Sequence, residues 1–367
     1  MKQVVIISNH HSYTYNFRKE IIQELINQNY KVHLILPYGE KVELLKKMGC
    51  KFSDLPLDRR GMNPITDFKL VYNYYKLLKK IKPDVVLTYT VKPNIYGGIA
   101  CRLLNIPIIP NITGLGTATG NKSILQVFII GLYKLAFKKA KCVFFQNKEN
   151  KAFFENKKIA IGKHKLLPGS GVNIDHFKAL EYPANNEINF VFISRIMKEK
   201  GIDYFLEAAK RIKSERSNVH FHVCGFCEND YEGILQEYER KGIITYHGMI
   251  SDVREILRIT HCTVHPTYYP EGISNVLLES AASARPIITT DHSGCREVVE
   301  DKVSGFLIIK NDTDDLVSKM KNFLDKTNED RMKMGHQGRI IAVKRYDRNI
   351  VVNEYIKQVT EGENSGG

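Results

Sequence analysis

Short apolar runs recur along the chain, at Val4–Ile7, Val32–Leu36, Val85–Leu87, Ile108–Ile112, Cys142–Phe145, Phe190–Ile193, Val219–Cys224, Thr263–His265 and Pro286–Thr290. Most are rich in Val and Ile and apolar at successive positions, so both faces of the strands they predict must be covered. Between them, apolar residues return at helical spacing, predicting amphipathic helices at Lys19–Gln28, Phe68–Lys82, Asp203–Lys213 and Asn275–Ala284. This alternation predicts doubly wound parallel sheets, whose ligands sit at the carboxyl ends of the strands. Periodicity fails between Pro168 and Asn186, in PGSGVNIDHF and EYPANNE, as an interdomain linker would. The expected fold is α/β, with similar domains at residues 1–178 and 179–346 facing across a cleft. A last helical stretch, Asp347–Val359, carries residues 347–367 back to the first domain, and the polar tail GENSGG is frayed.

Composition narrows the class. With 367 residues, 43% hydrophobic and 26% charged, the chain is a globular protein of about two domains rather than a disordered or collagen-like one. MKQVVIISNHH is no secretory leader, because its apolar run is brief and ends in polar residues. Ser123–Tyr133, the longest apolar stretch, contains Gln126 and falls short of the roughly 20 residues a spanning helix needs. Seven cysteines, odd in number and irregularly spaced, read as reduced thiols of a cytoplasmic protein. One Cys-x2-Cys, Cys224 to Cys227, lacks the second ligand pair of a structural zinc site. His220 and His222 alternate on one strand face and read as structural.

Charge changes the picture more. Residues 1–180 hold 29 lysines and arginines against 11 acids, a balance of +18, while the remainder holds 25 against 29. Between Asp84 and Glu149 there is no acid and there are eight basic residues. Such a half faces something anionic: a membrane surface, nucleic acid or phosphorylated ligands. Within it, SILQVFIIGLYKLAFKKAKCVFF is apolar first and then carries Lys134, Lys138, Lys139 and Lys141. That pattern suits a monotopic membrane contact on anionic lipid, with FKLVYNYYKLLKKIK at residues 68–82 as a second contact. The plainer reading is a buried helix running into the strand Cys142–Phe145, with solvated lysines at its end. No nucleic-acid module is present in the sequence.

The densest chemistry lies in HPTYYPEGISNVLLESAASARPIITTDHSGCREVV. Pro270-Glu271-Gly272 forms a tight loop, Ser274 is placed to cap the next helix, and the amides of Asn275 and Val276 make a positive helix end. Glu271 stands just before that helix and Glu279 eight positions later, along one flank, where carboxylates would accept hydrogen bonds from sugar hydroxyls. Upstream, FISRIMKEKG sets Arg195 and Lys200 after a strand; a fork and a point charge together suit a diphosphate.

Glu-x7-Glu with the upstream Arg195 and Lys200 resembles the retaining glycosyltransferases of family 4, which have the GT-B fold of two facing Rossmann-like domains. The resemblance extends over nearly the whole chain, through LDRRGMNP, TYTVKPNIYGGIA and NITGLGTA in the first half. It is greatest to bacterial enzymes of the N-acetylgalactosaminyltransferase type that extend lipid-linked oligosaccharides or capsule repeats. The resemblance implies transfer of a sugar, an N-acetylhexosamine, from a UDP-sugar to an undecaprenyl-diphosphate-linked saccharide at the cytoplasmic membrane face. It implies that Arg195 and Lys200 bind the donor diphosphate, Glu279 the ribose and Glu271 the donor sugar. Backbone amides around Gly272, Ser274, Asn275 and Val276 would hold sugar and β-phosphate, with His247 and Gly248 beside the nucleobase. No DxD-type pair stands near these residues, Asp314-Asp315 being in a late polar turn, so no metal and no cofactor are expected. Front-face attack, with the donor phosphate assisting removal of the acceptor proton, is the family's usual route to retention.

Two departures concern the acceptor. SNHHSYTYNFR follows the first strand without the glycines many members have, and Thr113-Gly114 stands after Ile108–Ile112 where many have histidine. Acceptor-side candidates are therefore His10, His11, Arg60, Lys92, Thr113 and Gly114. The alternatives are a sugar-nucleotide 2-epimerase of the same two-domain plan, and a non-catalytic basic protein that binds membrane or nucleic acid. The intact Glu-x7-Glu block with both cations argues against the first, and the second would need a nucleic-acid module or a basic-aromatic platform, neither of which stands in the sequence.

Overall fold

The computed structural model describes residues 1–58, 61, 63–114, 124–184, 187–228 and 230–361. The chain divides into two compact units: Met1–Ser170 together with the segment from Arg348 onward, and Gly171–Asp347.

In the first unit, β1 (Gln3–Ile7), β2 (Lys31–Leu36), β3 (Lys51–Asp54), β4 (Val85–Tyr89), β5 (Ile108–Ile112), β6 (Val143–Phe145) and β7 (His164–Leu166) form one parallel sheet. Its strand order is β3-β2-β1-β4-β5-β6-β7. Strand geometry points alternate side chains to opposite faces, so Val5 and Ile7 enter one core and Val4 and Ile6 the other. Helices α1 (His11–Asn27) and α2 (Val42–Lys47) are joined by α3 (Pro64–Ile81), α4 (Gly98–Leu103), α5 (Ile124–Ala136) and α6 (Lys148–Asn156). A π-helical turn, Pro93–Gly97, leads into α4.

The second unit repeats the plan. Its strands β8 (Ile188–Ile193), β9 (Val219–Cys224), β10 (Thr245–Tyr246), β11 (Cys262–His265), β12 (Ile287–Thr290) and β13 (Gly305–Ile308) are ordered β10-β9-β8-β11-β12-β13, again all parallel. Its helices are α7 (Ile202–Glu215), α8 (Glu232–Arg240), α9 (Val253–Ile259), α10 (Asn275–Ala282), α11 (Thr313–Leu324) and α12 (Asn328–Tyr346). The last helix, α13 (Arg348–Thr360), belongs to the first unit: Val351, Tyr355 and Val359 join the core of Val4 and Leu25. Asn111 donates to the Tyr355 hydroxyl at 2.7 Å, and Arg348 pairs with Glu20 at 3.0 Å.

Several boundaries differ from the sequence expectation, and three have a clear local reason. Helix α1 begins at His11 rather than Lys19, because the His10 ring caps it, Nδ1 accepting from the Ser12 amide at 3.1 Å. Residues 171–178 belong to the second unit, since Val172, Ile174 and Phe177 pack against Leu277 and Ala281. Arg339 clamps the same segment, donating to the carbonyls of Phe177 at 2.5 Å and Ile174 at 3.1 Å. Helix α10 stops at Ala282, and Ala284 turns out of it at φ 57°. The strands not foreseen, β3, β7 and β13, lie at sheet edges or, like KFSD and HKL, are only half-buried.

In each sheet the strand order reverses at one point, between β1 and β4 in the first and between β8 and β11 in the second. Ligands of doubly wound sheets bind at the strand ends beside such a reversal. No helix among the described residues is long and apolar enough to cross a membrane, and all seven cysteines are free thiols.

Candidate active site

Backbone contacts build the second unit's reversal point. After β8, Ser194 donates to Cys224 O at 3.1 Å and Ile196 to Phe226 O at 2.9 Å, zipping this loop to the one after β9. Glycine is required at 225: φ is 142°, and a Cβ would lie 1.7 Å from Ser194 O. Cys224-Gly-Phe-Cys227 is thus a close-approach motif; Cys224 is buried and the Cys227 sulfur lies 3.7 Å from the Tyr246 hydroxyl. Further on, Glu199 O accepts from Tyr268 N at 2.9 Å and Thr267 Oγ1 at 3.1 Å, which ties the Lys200 turn to the loop after β11.

These ties bring together Arg195, Lys200 and Glu271. Both cations lie over one ring, the Arg195 guanidinium 5.4 Å and the Lys200 ammonium 4.9 Å from the Tyr269 centroid. Arg195 Nη1 pairs with Glu228 Oε1 at 2.8 Å, and Lys200 Nζ pairs with Glu271 Oε1. Lys200 is 7% exposed. Burial, with the Arg195 charge beside it, pushes its ammonium down to about 8. The sequence reading missed Tyr269 as the platform and Glu228 as a counter-ion. Neither stands in a spacing pattern that marks it.

The Glu271 loop is held by its neighbour at Gly294, where φ is 87° and a Cβ would lie 2.7 Å from both Glu271 Cβ and Gly272 O. Ser274 N donates to Gly294 O at 2.9 Å. Ser274 occupies the N-cap position of α10, but its hydroxyl lies 3.3 Å from His265 Nε2 and caps nothing. The expected cap is therefore absent, and the first-turn amides of Asn275 and Val276 have no side-chain acceptor in the cap. Glu279 sits half-buried on α10, whereas Glu271 lies in the loop before it, so the pair does not share one helix flank. His247 follows β10, its Nε2 3.0 Å from His222 Nδ1, and His222 Nε2 is 3.0 Å from Asn189 Oδ1. Burial lowers both imidazoles, His222 to about 4 with His247 adding to the effect. Gly248 adopts φ 63°, and its carbonyl accepts from Gly225 N at 2.8 Å.

The first unit's candidates are less available. His10 caps α1 and stacks on His11 with centroids 4.5 Å apart, while the His11 ring fills the space over Gly39. Lys92 is committed to Asp67 at 2.8 Å, each side chain 14% exposed, and Tyr96 donates to the same carboxylate at 2.6 Å. Thr113 and Gly114 follow β5, Gly114 at φ 157°; Arg60 lies outside the described residues. Two residues beside the β1–β4 reversal were not foreseen. Thr90, β-branched yet at φ 70°, and Asn9 each bury a side-chain oxygen that finds no hydrogen-bond partner. Backbone strain leaves no mark in the sequence.

Of the four lysines read as a membrane contact, Lys134, Lys138 and Lys139 are exposed. Lys141 is half-buried and donates to Val359 O at 3.3 Å, so it leaves that set. Exposed apolar side chains accompany the lysines: Val127 and Phe128 on α5, and Ile65, Phe68 and Tyr72 in one stripe on α3. Both helices pack on α4 and its π-helical turn, on the same face of the sheet.

Two parallel-sheet units, with paired cations and an uncapped helix end at the reversal point of the second, define the GT-B class of glycosyltransferase. Family models match in succession: "Glycosyl transferase 4-like" over residues 3–147 and "Glycosyl transferases group 1" over residues 175–340. Together the two models span most of the chain, which is a glycosyltransferase. It is 27% identical over 360 residues, 94% of each chain, to the N,N'-diacetylbacillosaminyl-diphospho-undecaprenol alpha-1,3-N-acetylgalactosaminyltransferase of Campylobacter jejuni. It is 28% identical over 316 residues to the UDP-Gal:alpha-D-GlcNAc-diphosphoundecaprenol alpha-1,3-galactosyltransferase of Escherichia coli, covering 79% of this chain and 80% of that one. Among solved structures, Anabaena HepE in complex with UDP superposes with a TM-score of 0.79 at 16% identity, over 98% of this chain and 100% of HepE. At that identity the likeness concerns the fold.

Proposed function

We propose that this glycosyltransferase moves an N-acetylhexosamine from a UDP-sugar to an undecaprenyl-diphosphate-linked saccharide, working peripherally on an anionic membrane surface. The carrying observation is the placement of Arg195 and Lys200 over Tyr269, beside an α10 end without a side-chain cap. As the donor C1–O bond breaks, negative charge grows on the departing UDP. Two fixed cations and helix amides supply opposite charge there without a metal, and cost no reorganisation during the step. Glu279 takes the ribose hydroxyls, Glu271 the donor sugar, amides from Gly272 to Val276 the sugar and β-phosphate, and His247-Gly248 border the base. Neutral imidazoles suit that last place, since burial disfavours their charge. The acceptor oxygen attacks on the face from which UDP leaves, so the anomeric configuration is retained. The acceptor meets the first unit, where His10, His11, Thr113 and Gly114 remain candidates.

Membrane contact falls to α3 and α5. Ile65, Phe68 and Tyr72 are 81%, 77% and 59% exposed, and each nearby lysine adds about 1 kcal/mol at an anionic leaflet. The first experiment is transfer of label from a panel of UDP-sugars into the organic phase of a bacterial lipid extract. Label in lipid from one donor supports donor, acceptor class and membrane reading together. UDP release with a soluble saccharide keeps the enzyme and discards the lipid acceptor. For the surface, reversing Lys134, Lys138 and Lys139 should release the protein from phosphatidylglycerol vesicles; undiminished binding rejects that face.

A further inference from the structure

Glu228 has no part in the donor site as read above, yet it makes the 2.8 Å ion pair with Arg195. Its position is built. Glu228 N donates to Ile196 O at 3.1 Å, and Ile196 bridges Cys227, so the backbone zipper that needs Gly225 also sets this carboxylate opposite the guanidinium. Both side chains are largely withdrawn from water, at 21% and 16% exposed. A carboxylate and a phosphate present similar oxygen pairs to a guanidinium fork, so they compete for one place.

With Asp230 and Glu232, Glu228 lines a cavity of about 360 Å³, so the carboxylate stands at the edge of open space rather than inside the core. Arg195 is restrained differently, because the Tyr269 ring holds it from beneath.

We infer that Glu228 is a positioning residue that stands in for the donor diphosphate, orienting and neutralising Arg195 until a diphosphate displaces it. This rests on the donor-site reading. A diphosphate spans Arg195 and Lys200 with two phosphoryl groups and outcompetes one carboxylate. A ligand without phosphate leaves the pair intact. Glu228 therefore tunes the site against weak anions, at the expense of donor affinity.

The test is titration of the intact chain and of Glu228→Gln with UDP by calorimetry and with uridine by NMR, folding being checked by thermal unfolding. Glu228→Gln is expected to bind UDP about tenfold tighter, the order of one charge-assisted hydrogen bond, with uridine unchanged. Donor KM falls with it while kcat does not rise. Glu228→Ala must move UDP affinity in the same direction, and serves if the glutamine variant does not fold. Unchanged or weaker UDP binding in a folded variant, or an equal gain for uridine, overturns the inference and makes Glu228 a structural clamp. If the unmodified protein binds no UDP, the donor-site reading itself falls and this inference with it.

Discussion

The two sheets of this chain reverse strand order at equivalent places, yet they furnish the two reversal points in opposite ways. Beside β8 and β11 the second unit gathers charge: Arg195 and Lys200 over Tyr269, with Glu228 and Glu271 as counter-ions. Beside β1 and β4 the first unit offers uncharged groups, Asn9 and the strained Thr90, while its nearby cation Lys92 is locked to Asp67. A charged leaving group needs fixed opposite charge, which only a braced set of ion pairs holds in place. A saccharide is recognised by hydrogen bonds, for which unpartnered hydroxyl and amide oxygens suffice. Under the proposed function, the charged reversal point of the second unit takes the donor and the uncharged one of the first takes the acceptor.

That contrast can be broken experimentally. The largest effect belongs to Arg195→Ala or Lys200→Ala, expected to lower kcat/KM about 10²–10³-fold, against a far smaller loss for Lys92→Ala. Equal losses would erase the distinction between units. Because Lys200 is held down to about 8, it loses its proton as pH rises through that value, and donor affinity should fall there while Lys200→Arg keeps it. Next comes Glu279→Ala, expected to weaken UDP by roughly 1–3 kcal/mol in a titration; unchanged affinity removes it from the ribose role. Gly294→Ala forces a Cβ against Glu271 at a φ of 87°, and should cost more than about 1 kcal/mol in thermal unfolding and loosen UDP. The smallest shift in stability is expected for Thr90→Gly, within about 1 kcal/mol, because strain relief offsets backbone entropy. If Thr90 serves the acceptor, acceptor KM rises while donor KM stays; a change in donor KM instead would blur the comparison.

Much of this was legible in advance. Val4–Ile7, Ile108–Ile112 and Val219–Cys224 announce buried strands because parallel strands covered on both faces must be apolar throughout. The candidate donor residues stand in two short segments, Arg195 and Lys200 after a strand and Glu271 and Glu279 around a helix start, and the fold brings Arg195, Lys200 and Glu271 together. His10 was not legible, because a histidine cap looks like a polar loop until the helix behind it is seen. Nor was the fate of Lys92, whose partner Asp67 sits on another helix. Lys141 was grouped with its neighbours by sequence and separated from them by α13, which returns from the far end of the chain.

By itself the sequence determined the class of fold, the candidate donor motif and the excess of positive charge in the first half, because periodicity, short-range spacing and composition are local properties. Tertiary structure alone decided which strands meet at each reversal, that one tyrosine ring underlies both cations, and that Glu228 and Glu271 neutralise them. It also left α10 without its serine cap and strained Thr90. The physical reason is that ion pairs, ring contacts and backbone strain depend on distances between residues far apart in the chain, and packing sets those distances.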